Sequence, residues 1–66
     1  MVDYKWLQRA KDWYYLDAVD VSNIFGISVE QARNVIKKMK TGEKQYGRWN
    51  AQAWEIRKVF KMEGEK

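Results

Sequence analysis

Residues 21–40 read VSNIFGISVEQARNVIKKMK. Two apolar-periodic stretches flank Gly26-Ile27-Ser28, and a cluster of lysines closes the second. Just ahead of the first, Asp17 can cap a helix, and Asp20, its third residue, suits the positive end of the helix dipole. Val21, Ile24 and Phe25 are the buried side of that helix. Gly26 ends it, because glycine enters the left-handed region freely. Ser28, with Gln31 three residues on, has the spacing of a capping box. Val29, Ala32, Val35, Ile36 and Met39 then form an inward face, and Glu30, Arg33, Asn34, Lys37 and Lys38 an outward one. The pattern predicts helices over 17–25 and 28–40.

Working outward, Asp3 can cap a first helix over 3–15, in which Trp6, Leu7, Ala10, Trp13 and Tyr14 recur at steps of three and four. Residues 41–49, TGEKQYGRW, carry two glycines and read as a short β-hairpin or an irregular loop. Asn50 can cap a last helix over 50–61 with Ala53, Ile56 and Phe60 as its stripe, extended by Trp49 and flanked by Trp54 and Val59. Residues 62–66 are expected to fray. The expected fold is mainly α: one domain over 1–66, with a three-helix core, a short wing or loop, and a C-terminal helix. Tryptophans on stripes are expected in the core, whereas Tyr4, Tyr15 and Tyr46 fall off the stripes.

Sixty-six residues without cysteine or histidine have no disulfide framework and lack the usual zinc ligands. Stability must come from packing, to which four Trp, four Tyr and two Phe are suited. The longest apolar run is the four residues Trp13–Leu16, and the N-terminal stretch lacks the apolar core of a signal peptide. A soluble, cytoplasmic protein with no membrane partner is expected.

The net charge of +4 is unevenly spread. Residues 1–32 hold three Lys/Arg against five Asp/Glu, whereas residues 33–61 hold nine against two. A basic half beside a mildly acidic one suggests a polyanionic partner for one face.

The quoted stretch resembles the helix-turn-helix of DNA-binding regulators. Ser22 stands at the small position of the first helix and Gly26 at the turn, with Val21, Phe25, Ile27, Ala32 and Val35 on the inner faces. Alanine is commoner at the small position, and a buried Ser22 hydroxyl would need a partner such as a carbonyl one turn earlier. The run after it, with its basic, glycine-containing segment ending in Trp49, is similar to the wing of winged-helix regulators. Fimbrial-operon regulators and the phage excisionase group share these parts. The long helix after Trp49 departs from the fimbrial pattern.

The resemblance implies double-stranded DNA as partner, with the second helix in the major groove. Ser28, Val29, Glu30, Arg33, Asn34 and Lys37 would then meet base edges. Arg33 suits guanine, Asn34 adenine, Glu30 cytosine and Val29 a thymine methyl. Lys38 and Lys40, with Lys37, suit phosphates. Lys44, Gln45 and Arg48 would approach the backbone or minor groove, Arg48 as a minor-groove finger or, alternatively, along Trp49 or Trp54 as a cation–π contact. The implied role is transcriptional regulation or accessory work in recombination, with a homodimer or second regulatory protein as a further partner.

Catalysis is not expected. The commonest acid–base group and nucleophile are absent, Asp17 and Asp20 have capping roles, and no residue set suggests a metal, cofactor or small-molecule ligand. The rival reading is a protein-binding module, a phage-type inhibitor or dimerising adaptor, that docks through exposed aromatics of the first and last helices.

Overall fold

The computed structural model describes residues 3–60. In chain order it contains α1 (Tyr4–Arg9), β1 (Tyr15–Asp17), α2 (Ala18–Phe25), α3 (Val29–Lys37), β2 (Glu43–Gln45), β3 (Arg48–Gln52) and α4 (Ala53–Val59). The three strands form one antiparallel sheet in the order β1-β3-β2, so the fold is mixed α/β rather than mainly α. The 62–66 expectation lies outside the described residues.

The centre of the chain folds as its local signals dictate. Asp17 Oδ1 accepts from the Asp20 backbone N–H at 2.9 Å, capping α2. Gly26 closes α2 with φ 67°, and Ser28 and Gln31 make both legs of the capping box on α3. Ser22 finds a partner in the direction opposite to the one expected. Its hydroxyl donates to the Ile27 carbonyl at 2.6 Å, across the turn, and so ties α2 to the start of α3.

Three helix boundaries differ from the pattern-based expectation, the first and the last because distant residues compete. The first helix stops at Arg9, not Tyr15, with Ala10 extended at ψ 147°. The Arg57 guanidinium donates to the carbonyls of Leu7 and Ala10, both at 3.0 Å, and pairs with Asp12. Those contacts satisfy the helix end and turn the chain. Trp13 and Tyr14 thus leave the stripe, and Trp13 is 64% exposed. The third helix ends at Lys37 rather than 40, although Met39 is still buried. Asn50 caps nothing: it lies in β3, facing Asp17 on one side and Glu43 on the other, and α4 starts only at Ala53.

Leu7, Leu16, Val21, Ala32, Ile36, Ala51, Ala53 and Ile56 are fully buried. Every element but β2 supplies at least one of them. Phe25 is only half-buried, stacked on Phe60 with ring centroids 4.0 Å apart and edge-on to Tyr4.

The β2 hairpin is anchored at its base instead. Glu55 of α4 is buried and accepts three hydrogen bonds, from the backbone N–H of Lys40, the backbone N–H of Thr41 and the Thr41 hydroxyl, at 2.8, 2.8 and 2.7 Å. Thr41 Oγ1 in turn accepts from Gln52 N–H at 3.1 Å. At the other end, Tyr46 and Gly47 form a two-residue turn with φ 53° and 76°. Positive φ at both central residues is the hairpin turn whose twist suits the flanking strands.

Candidate functional site

The outward side of α3 and the β2–β3 hairpin flank a groove of about 210 Å³, lined by Asp17–Val19 at the start of α2, Val29 and Arg33 of α3, and Gly47–Trp49 of the hairpin. The sheet puts these segments together. Pairing β3 to β1 sets Asn50 opposite Asp17, so the neighbouring Arg48 can reach back to the start of α2.

Of the residues singled out from sequence, Val29, Arg33 and Arg48 line this groove. Glu30, Asn34, Lys37 and Lys38 are exposed on α3 or at its C-terminal cap. Ser28 is exposed too, but its oxygen already accepts from Gln31 N–H at 3.0 Å. Lys40 is exposed beyond the helix, and Lys44 is exposed on β2, paired in register with Trp49. Gln45 is half-buried, and its amide donates to Glu43 at 2.5 Å.

Among the described residues Arg48 makes no cation–π contact with Trp49 or Trp54. Its guanidinium donates to Asp17 Oδ2 at 3.1 Å while its side chain stays 68% exposed. The cation over Trp49 is Lys37, with Nζ 5.8 Å from the ring centroid. Such contacts contribute about 0.5–1 kcal/mol at exposed sites. Asp17 therefore uses both oxygens, one to cap α2 and one to hold the hairpin. Its charge adds to the effect of burial on Asp20, whose carboxyl is raised above its ordinary range. The Asp17 hydrogen bond and Arg48 offset the shift only in part.

Asn34, Lys37 and Lys38 stand exposed on α3 or at its C-terminal cap, and the half-buried Arg33 lines the groove together with Val19 and Val29. Among the described residues no group of three or more metal-ligating side chains occurs, and no helix is long and apolar enough to cross a membrane.

A second groove of about 220 Å³ lies on the α1 side, lined by Trp6, Arg9, Ala10, Lys11 and Tyr14. The Trp6 and Tyr14 rings meet edge to face at 5.0 Å, and Trp13 lies against Tyr14 at 6.4 Å. The loop carrying these aromatics is held firmly. Besides the Arg57 contacts, Ala53 N–H donates to the Tyr14 carbonyl at 2.7 Å and Trp54 N–H to the Asp12 carbonyl at 3.3 Å.

Sequence reasoning passed over Arg57 and Glu55. For Glu55 a signal was present, a carboxylate next to Ile56 and two residues from Ala53 on an apolar stripe. Its partners lie 14 and 15 residues away, so spacing alone did not reveal them. No protein family, curated protein or solved structure matches the chain.

Proposed function

We propose that this chain is a small winged-helix protein that binds double-stranded DNA, with α3 in the major groove and the β2–β3 hairpin as its wing. The observation that carries the reading is the conjunction of element order and chemistry. A helix, a strand, two helices joined by a tight glycine turn and a hairpin pairing back on the first strand put an outward basic helix beside a basic loop. Glu30, Arg33, Asn34 and Lys37 have the donor and acceptor sets that read base edges, and Lys38, Lys40, Lys44 and Arg48 suit phosphates. The role that follows is transcriptional regulation or an architectural accessory function in recombination, in the cytoplasm.

Titration of the protein against a random duplex at 50 and 200 mM salt tests this. With about five phosphate contacts, affinity should fall by about 10²–10³-fold across that range. On a duplex recovered by selection, Arg33→Ala with Asn34→Ala should reduce affinity to the level of the random duplex. The melting temperature should change little, since neither residue belongs to the core. A double variant that still favours the selected site would remove α3 from the base-reading role.

A second reading is favoured by the rigidly held, exposed aromatics of the α1 side. They suit docking to another protein, because pre-organised aromatics lose little entropy on binding. The readings separate cleanly: Trp13→Ala should leave DNA affinity unchanged, whereas a docking partner would be lost.

A further inference from the structure

The loop between α1 and β1 leaves large apolar side chains in water and yet is fastened along its length. Trp13 is 64% exposed and Tyr14 is exposed beside it. The Arg57 guanidinium holds the Ala10 carbonyl, and the N–H groups of Trp54 and Ala53 hold the carbonyls of Asp12 and Tyr14. Exposed rings ordered in this way lose little further freedom when a partner docks on them.

Their geometry says what kind of partner fits. The Trp6 and Tyr14 planes meet at 73°, and those of Trp13 and Tyr14 at 47°. Unpaired bases of a nucleic-acid strand stack on successive ring faces, and rings so steeply inclined offer no continuous stack. Trp6 and Tyr14 instead wall a groove of about 220 Å³, with Ala10 between them in the chain. That is below the about 300–1,000 Å³ of a small-molecule pocket, and suits one bulky side chain. Arg9 and Lys11 complete the lining, and both are exposed. Among the described residues neither makes an ion pair. The carboxylates nearest in sequence are engaged, Asp3 in capping α1 and Asp12 in pairing with Arg57. Lys5, four residues before Arg9, adds a third exposed cation to the same side of α1.

We infer that this groove takes an acidic peptide, seating one bulky apolar side chain against Trp6 and Tyr14 while flanking Asp or Glu residues meet Arg9 and Lys11. The inference rests on the protein-docking reading above and names the chemistry of its partner. The aromatic walls supply affinity, and the two cations select by charge and speed the encounter.

The experiment pans the full chain against a displayed library of random dodecapeptides, then measures the enriched peptides by fluorescence anisotropy. Enriched sequences should carry two or more Asp or Glu around a Leu, Ile, Phe or Trp. The best of them should bind Trp13→Ala about thirtyfold more weakly than wild type. It should bind the double variant Arg9→Glu, Lys11→Glu about tenfold more weakly. The same peptide with lysine at its acidic positions should reverse that order and prefer the double variant. This rescue separates lost charge complementarity from a damaged fold.

Enriched peptides that are neutral or basic would overturn the inference and leave the docking reading standing. So would a lysine peptide that binds both proteins alike. An oligo-dT strand that outcompetes the peptide, and loses its own affinity in Trp13→Ala, would reassign the surface to unpaired bases. No enrichment, or enrichment that Trp13→Ala leaves unchanged, is a different result, because it removes the docking reading and the inference with it.

Discussion

Gly42→Ala is expected to lower the melting temperature by about 12–24 °C, the equivalent of about 3 kcal/mol in a domain of this size. The glycine is needed for space, not for a left-handed conformation. After α3 the chain folds back so closely on its last turn that a Cβ at residue 42 would be driven into the Ile36 carbonyl, with the Met39 carbonyl oxygen also crowded, at 3.2 Å. Neither group is the movable end of a side chain. Relief requires shifting the 38–43 connection, and the Gly42 N–H that donates to the Met39 carbonyl at 3.1 Å would move with it. Thermal unfolding followed by far-ultraviolet circular dichroism checks this. A midpoint within 4 °C of wild type would mean the connection can relax freely, and the close approach would carry no weight.

Glu55→Ala is the second large effect, a loss of about 2–3 kcal/mol. Truncation removes three hydrogen bonds to a charged acceptor and leaves the Lys40 and Thr41 N–H groups without their partner. Glu55→Gln should fall between wild type and alanine, because an amide presents one acceptor and one donor to a site that supplies only donors. If glutamine proved as damaging as alanine, the charge and its second acceptor, rather than the shape, would be the cause.

The same residue governs the acid limb of stability. Burial opposes ionisation of Glu55, but the hydrogen bonds from Thr41 and Lys40, with the Lys40 charge, outweigh it and hold the carboxyl below its ordinary value of 4.5. A carboxylate with a depressed pKa in the folded state contributes stability fully above that ordinary value, and the contribution is lost as pH falls through the folded one. Asp20 acts in the opposite sense. Its carboxyl is raised by burial and by Asp17, so its ionisation costs stability that protonation returns on acidification. Wild-type stability should thus decline below about pH 4.5, and the decline should flatten in Glu55→Gln. Parallel pH profiles would exclude Glu55 as the titrating group.

What could be read from sequence alone follows the range of the forces involved. The caps of α2 and α3, the Gly26 turn and the buried Val21, Ala32 and Ile36 were legible because each depends on residues within four positions. Most exposed positions of α3 were legible for the same reason, since helical periodicity decides which side chains face out, although Arg33, expected outward, is half-buried and Val29, expected inward, is 37% exposed. The end of α1 was not, because Arg57 decides it from 47 and 50 residues away. Nor was the strand around Asn50, which looks like a helix cap until β1 and β2 pair with it. The hairpin was left open against a loop because Tyr46-Gly47 lacks the asparagine or aspartate that usually marks such a turn. At the candidate site, the residue types on α3 were readable, but the Arg48–Asp17 pair spans 31 positions and was not.

The Arg57 contacts also set a schedule for the chain as it is made. Leu7 and Ile36 belong to a core that Ala51, Ala53 and Ile56 complete, and the α1 carbonyls meet Arg57 only once that residue has been added. At about 5–20 residues per second, the interval between synthesis of Ile36 and of Arg57 lasts about 1–4 s. During it the α2–α3 pair has its caps but not the β3–α4 cover that completes its core.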